Sequence, residues 1–106
     1  MEILFRNQLL VDLYEGKKVN DNRFKSNPTI IKQYRKTVDK LQAISRIEDM
    51  YIIQSLKYEK LTGDRGGQSS VRINDQYRLI FEEIVSDKEP FQVVIFALEE
   101  ISNHYH

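Results

Sequence analysis

The sequence predicts an α+β fold in which an N-terminal helical hairpin packs on a small, mainly antiparallel, twisted β-sheet. Before residue 61, apolar residues recur at three- and four-residue steps, which is the helical period. Beyond Leu61 they alternate or run together between short turns, as in strands joined by hairpins. Helices followed by consecutive strands indicate an α+β arrangement. The 106 residues suffice for a single domain, 1–106, with its own core.

The first 26 residues predict a strand, a helix and a loop. Ile3–Phe5 is a short apolar run that fits one edge strand, and Leu9–Tyr14 has apolar residues at helical spacing. Gly16 should end that helix. Residues 17–26 are polar and have no period, so we expect a mobile surface loop there.

A long helix is predicted to follow. Asn27 can cap it and Pro28 suits its first turn. The apolar positions of this helix are Ile30, Ile31, Tyr34, Val38, Leu41 and Ile44. Ser45–Glu48 has the form of a capping box, which predicts a second, short helix to about Tyr51. The long and the short helix should form the hairpin.

The second half predicts an antiparallel meander. Residues 62–67 have the composition of a turn. Their three glycines precede a strand and not a helix, so we interpret them as turn glycines and not as a nucleotide-binding loop. Residues 70–73 and 77–82 should pair as a hairpin. The apolar run 91–98 predicts a central strand covered on both sides. We expect these aromatic residues in the core: Phe5, Phe24, Tyr34, Phe81, Phe91 and Phe96.

Charge is balanced overall but unevenly distributed. Residues 17–46 hold nine lysines and arginines against two aspartates, a net charge of +7, whereas residues 82–100 have a net charge of −5. Such a chain can present a basic face to a polyanion. Lys32, Lys36 and Lys40, on the outer face of the long helix, are candidates for binding RNA. A helix that simply carries solvated lysines is the alternative.

Composition excludes several kinds of chemistry. The chain has no cysteine, which rules out disulfides, zinc-thiolate sites and thiol catalysis. The N-terminus does not resemble a signal peptide, and no apolar run is long enough to cross a bilayer. We therefore expect a cytoplasmic protein that does not associate with membranes.

The candidates for proton transfer are the residues His104, Tyr105 and His106, which contain both histidines of the chain. Histidine titrates near neutral pH, so a pair of histidines can supply one proton and remove another. In an extended tail, residues two apart share a face and could straddle one phosphate. The alternative is a frayed tail or the remnant of a purification tag. Two histidines without a third ligand do not predict a metal site, and no cofactor is expected.

Two arginines upstream are candidates for binding a phosphate. Arg72 should project from the strand face opposite Val71 and Ile73, and its planar cation matches a phosphate bidentately. Arg78 either contacts phosphate or pairs with a carboxylate such as Asp75 or Glu82.

The stretch that contains both arginines resembles a known signature. From Leu61 to Phe81 it reads LTGDRGGQSSVRINDQYRLIF, which resembles the central signature of HigB-type toxins of the RelE superfamily, from bacterial toxin-antitoxin systems. The sequences of that family end with an aspartate-tyrosine-histidine motif, and this sequence ends with His104, Tyr105 and His106. The resemblance spans about Leu56 to the end of the chain and is more specific than any single motif.

The resemblance implies an endoribonuclease that cuts messenger RNA on the ribosome and is held inactive by a small helix-turn-helix antitoxin of the HigA type. Operator DNA would be bound only through that antitoxin. Cutting RNA without a metal requires a base, an acid and cations at the phosphate. By position in the motif, His106 is assigned to proton transfer, and Tyr105 to stacking on a base or orienting His106.

Three positions depart from the family pattern. His104 replaces the usual aspartate, which adds a possible second proton carrier. Glu59 lies near the place of an upstream histidine and could act as a base if burial raised its pKa. Thr62 replaces a lysine, whose phosphate contact Lys57 or Lys60 could supply.

Two other functions remain open. The ParE branch of the superfamily poisons DNA gyrase by binding and needs no acid or base. A non-catalytic partner that only co-represses DNA with its antitoxin would tolerate alanines throughout the tail.

Overall fold

The structure is a computed structural model that describes residues 1–103. In this part of the chain, two α-helices pack on one five-stranded mixed sheet, which confirms the predicted α+β class. The elements are β1 (Glu2–Phe5), α1 (Gln8–Glu15), α2 (Pro28–Ala43), β2 (Glu59–Lys60), β3 (Gln68–Arg72), β4 (Arg78–Val85) and β5 (Val93–Ser102). No helix among these residues is long and apolar enough to span a membrane.

Both α-helices begin and end at residues that local chemistry selects. The Asn7 side chain accepts a hydrogen bond from the backbone N–H of Leu10 and caps α1. Gly16 ends α1 as predicted, with a φ of 77° that glycine adopts without steric cost. Asn27 caps α2 through the N–H of Ile30. The predicted start of the long helix is therefore confirmed.

The predicted short helix after α2 is present and ends at Tyr51, but it is a 3₁₀ helix and lacks the predicted cap. Ile47–Tyr51 forms a 3₁₀ helix, and the residue before it is Arg46, with no side-chain cap from Ser45. Ile47 and Met50 both face the core, and a spacing of three residues matches the 3₁₀ period and not the α period. The short helix thus gains its core contacts without an α-helical turn.

The helical hairpin consists of α1 and α2. The Tyr34 hydroxyl of α2 donates a buried hydrogen bond to the Leu10 carbonyl of α1, at 2.8 Å. Tyr14 of α1 likewise donates to the Asp39 carboxylate of α2, at 2.6 Å. The second helix of the pair thus precedes the long helix and does not follow it as predicted.

The strand order in the sheet is β1-β5-β4-β3-β2. β1 lies at one edge, as predicted, and pairs in parallel with β5, whereas the other neighbours are antiparallel. Phe96, Ala97 and Leu98 of β5 are all fully buried, so this interior strand is covered on both faces, as predicted. The two-residue strand β2 was not predicted, because two residues show no alternation.

Two expectations about packing need correction. Phe91 was predicted in the core but is 66% exposed, because it lies in the loop before β5 begins. The segment 17–26 does lie at the surface, but Phe24 within it is fully buried against Tyr77. The other predicted core aromatics are buried, except for the half-buried Phe5.

Candidate functional site

Arg72, Arg78 and Ser102 form one row across three neighbouring strands. Arg72 of β3 is the register partner of Arg78 of β4, which is in turn the partner of Ser102 of β5. Directly opposed residues project from the same face of a sheet. Val71 and Ile73 are buried in the helix-side core, so Arg72 projects from the other face, as predicted. Two permanent cations therefore lie side by side on the sheet face away from the helices. This face is called the open face because the two α-helices do not cover it, although Ser102 in the row is buried.

Arg72 pairs with an aspartate of the following turn. Its Nη2 donates to Oδ1 of Asp75, whose side chain is 99% exposed, against 37% for that of Arg72. An ion pair with so exposed a carboxylate contributes little to stability. A phosphate could therefore replace Asp75 as the partner of Arg72.

Arg78 is held by groups that sequence alone did not identify. Its Nε donates to Oγ of the fully buried Ser70, at 2.9 Å, and its Nη2 donates to the backbone carbonyl of Lys57. The two carboxylates considered as partners pair elsewhere: Asp75 with Arg72, and Glu82 with Arg6. Ser70 thus fixes the direction in which the Arg78 side chain extends.

The segment before β3 carries three other candidates. Lys57 is exposed, has a φ of 46°, and accepts a hydrogen bond from Arg78 at its backbone carbonyl. Glu59 is the partner of Ser70 and so shares the face of the arginines, whereas Lys60 is the partner of Ser69 and belongs to the opposite face. Glu59 is exposed, so the burial that a glutamate base would require is not found.

Tyr58 attaches this segment to the sheet. Its hydroxyl donates to the Glu83 carboxylate of β4, which also accepts from Ser69, at 2.6 Å. Its ring stacks on Phe81 with 6.4 Å between centroids. Burial, followed by the hydrogen bond to Glu83, raises the pKa of Tyr58 well above its ordinary value. Tyr58 is therefore a neutral anchor for Lys57 and Glu59.

The lysines of α2 lie beside the arginine row. Lys36 and Lys40 line a shallow groove whose opposite wall includes Arg72. Lys32 is exposed one turn before Lys36 on the same side of the helix. The helix and the strand thus contribute to one basic surface, which neither element indicated alone.

Arg23 lies next to the arginine row, and its sequence position did not indicate this. Its Nη1 donates to the Ile101 carbonyl near the end of β5, at 2.8 Å, while Nε and Nη2 bind the Asp21 carboxylate. The guanidinium lies 4.6 Å from the centroid of the Phe24 ring. Its hydrogen bond lowers the pKa of Asp21. The unpatterned 17–26 segment held no signal for these contacts, apart from its charge.

The predicted residues His104, Tyr105 and His106 lie outside the described residues. The described part of the chain ends at Asn103, directly after Ser102 of the arginine row.

Comparisons with known proteins agree with this architecture. A family model described as the RelE-like toxin of the type II toxin-antitoxin system HigB matches residues 3–90. Toxin HigB-1 of Vibrio cholerae serotype O1 is 33% identical over 84 residues, covering 77% of this chain and 83% of that protein.

Solved structures share the fold at lower identity. YafQ from Escherichia coli strain BL21(DE3) has a TM-score of 0.59 and 14% identity, covering 97% of this chain and 92% of its own. The YoeB-YefM complex from Staphylococcus aureus contains a chain with a TM-score of 0.51 and 22% identity, covering 99% and 98%. The fold is thus that of RelE-like toxins. The chain belongs to the HigB family of toxins of type II toxin-antitoxin systems.

Proposed function

We propose that the protein is a ribosome-dependent endoribonuclease that cuts messenger RNA without a metal. The observation that carries the proposal is the row of Arg72, Arg78 and Ser102, because a row with two cations ends on the strand from which residues 104–106 continue. Three further residues reach at most about 10 Å. That reach is compatible with a histidine meeting a phosphate bound by the arginines.

The proposed reaction is an intramolecular transfer at phosphorus. A base removes the proton of the 2′-hydroxyl, the oxygen forms a bond to the adjacent phosphorus, and the bond to the 5′-oxygen breaks. An acid then protonates the leaving 5′-oxygen. Arg72 would bind the non-bridging oxygens, where charge builds up in the transition state.

The proton-transfer roles follow the family motif. His106 would act as the acid or the base, His104 as the second proton carrier, and Tyr105 would stack on a base or orient His106. Glu59 shares the face of the arginines and is an exposed candidate for the base. Arg78 would contact a phosphate, and its hydrogen bond to Ser70 would hold its side chain in the required direction.

Basic residues around the site would bind RNA. Lys57 lies beside Arg78 and is the better placed of the two lysines before β3, since Lys60 belongs to the opposite face. Lys32, Lys36 and Lys40 would dock on ribosomal RNA. We further propose a helix-turn-helix antitoxin as the partner, with operator DNA bound only through it. The related fold solved as the YoeB-YefM complex supports an antitoxin partner.

The test is controlled expression of wild type and His106→Ala in bacteria, with primer extension of a reporter message that is either translated or not. Cuts that need translation and fall by about 100-fold or more in the variant would establish the nuclease and the role of His106. Tyr51→Phe, which removes one hydroxyl from an exposed ring, is the control and should cut normally.

Two other outcomes have clear meanings. Growth arrest without any cuts would reject the nuclease and favour a toxin that binds gyrase. Cuts that persist in His106→Ala would reject the role of His106 and move the search to His104 and Glu59.

A further inference from the structure

A groove lies between α2 and the segments that face it, and we call it the α2 groove. Its lining includes Lys36, Thr37 and Lys40 from the helix, and Ser55, Arg72 and Ile73 from the opposite side. Lys36 and Lys40 are four residues apart, so their side chains lie on one face of the helix. Three basic residues from two elements thus line one depression.

Both ends of the α2 groove are fixed by contacts between its walls. The Asn74 amide donates to Oε1 of Gln33 at 2.8 Å, which ties the β3–β4 turn to α2. Lys40 Nζ lies 3.5 Å from Oγ of Ser55 at the other end. Because contacts within the fold hold the walls, the groove exists without a ligand.

The positive charge of the α2 groove is not balanced by acidic residues of its lining. No carboxylate lines it, and among residues 1–103 neither Lys36 nor Lys40 forms an ion pair. The ion pair of Arg72 is with the exposed Asp75. The Thr37 hydroxyl donates to the Gln33 carbonyl within the helix, so the lysines and Arg72 dominate the polar lining. Such a lining favours an anion.

The size of the α2 groove limits the ligand. Its volume is about 190 Å³, below the roughly 300 Å³ at which pockets for drug-sized molecules begin. A phosphate group fits such a site better than a nucleobase with its sugar.

Arg72 belongs both to the α2 groove and to the arginine row on the open sheet face. We propose that the α2 groove binds one phosphodiester of a single-stranded RNA, next to the phosphate held by the row. This inference rests on the proposed function, because the row is where that function places the phosphate that is cut. The RNA backbone then passes between α2 and the β3–β4 hairpin, and Lys36 and Lys40 would contact both this strand and the ribosomal RNA proposed above.

The test measures binding of a 2′-O-methyl RNA hexamer to the purified chain by fluorescence anisotropy, without ribosomes, at several salt concentrations. The methylated strand cannot be cut, so a failure of the nuclease proposal does not affect the result. Lys36→Gln/Lys40→Gln should weaken binding about tenfold or more. It should also reduce the slope of log affinity against log salt by about 0.7 for each lost phosphate contact.

The matched control is Lys18→Gln/Lys88→Gln, which changes the net charge equally at exposed positions outside the α2 groove. It should weaken binding less than threefold. Equal losses in both variants would mean that only net charge matters, and unchanged binding in the groove variant would mean that the groove is not a phosphate site. Either result would overturn the proposal.

Discussion

Arg72 reaches the open face of the sheet because it alternates with Val71 and Ile73, which are buried against the helices. Strand alternation is a local rule, so this direction could be predicted from sequence. The surroundings of Arg78 could not, since Ser70 and the carbonyl of Lys57 are 8 and 21 residues away. Their proximity depends on strand register, which no local pattern specifies.

Asp75 forms an ion pair with Arg72, the cation that a phosphate would bind. Replacing Asp75 by asparagine should raise the affinity of the chain for the 2′-O-methyl RNA hexamer about two- to fivefold, which corresponds to ~0.4–1 kcal/mol and lies within the range typical of an exposed ion pair. Asp87→Asn removes the same charge from an exposed residue of the β4–β5 loop and controls for net charge. Equal gains in both variants, or no gain in Asp75→Asn, would contradict a competing role for Asp75.

Asp21 should make stability depend on pH. The hydrogen bond from Arg23 lowers the pKa of Asp21, so its ionised form stabilises the fold above the ordinary aspartate range. That contribution is lost as the pH falls through the lowered pKa. Urea unfolding should show Asp21→Asn about 1 kcal/mol less stable at neutral pH, with the difference shrinking in acid.

Asp64→Asn, at an exposed position of the turn before β3, is the control for this comparison. A stability difference for Asp21→Asn that stays constant with pH would show that the ionised carboxylate is not what stabilises the 17–26 segment.

At the scale of elements, the two helix starts predicted by capping had different outcomes. Asn27 and Pro28 precede a 16-residue helix with a continuous apolar face, and the cap forms as predicted. After Ser45, only Ile47 and Met50 of the short segment contact the core, and the segment forms a 3₁₀ helix. A capping signature thus predicted an α-helix only where the apolar period continued beyond it.

Asn27→Ala and Ser45→Ala form a matched pair of cap mutations. Asn27→Ala should lower the free energy of unfolding by about 1 kcal/mol, because the N–H of Ile30 loses its acceptor. Ser45→Ala should change it by less than about 0.5 kcal/mol, since no side-chain cap forms there. Urea denaturation of both variants measures the difference, and similar losses would mean that Ser45 does cap in solution.

At the scale of the whole molecule, the basic region of the sequence became a defined surface only on folding. The lysine spacing predicted that Lys36 and Lys40 share a helix face, but not that Arg72 lies across from them. That juxtaposition depends on how α2 packs on the sheet. The hydrogen bond between Asn74 and Gln33, 41 residues apart, is one contact that fixes it.

Ribosome docking through Lys32, Lys36 and Lys40 should be steeply dependent on salt. Each phosphate contact releases counterions, so doubling the salt should weaken the binding of purified ribosomes several-fold. Replacing all three lysines by glutamine should flatten that dependence. Sedimentation of the chain with ribosomes measures both effects, and binding that is insensitive to salt would reject the docking proposal.

The parallel pairing of β1 with β5 ties the order of synthesis to the order of assembly. Residues 2–5 leave the ribosome first, yet among residues 1–103 their only partner strand is Val93–Ser102. The interior of the sheet and the row that ends at Ser102 therefore stay incomplete while roughly the first nine-tenths of the described chain is translated. A partly synthesised chain therefore lacks the complete arginine row, and a partner that recognises the finished sheet surface can bind only after β5 has been made.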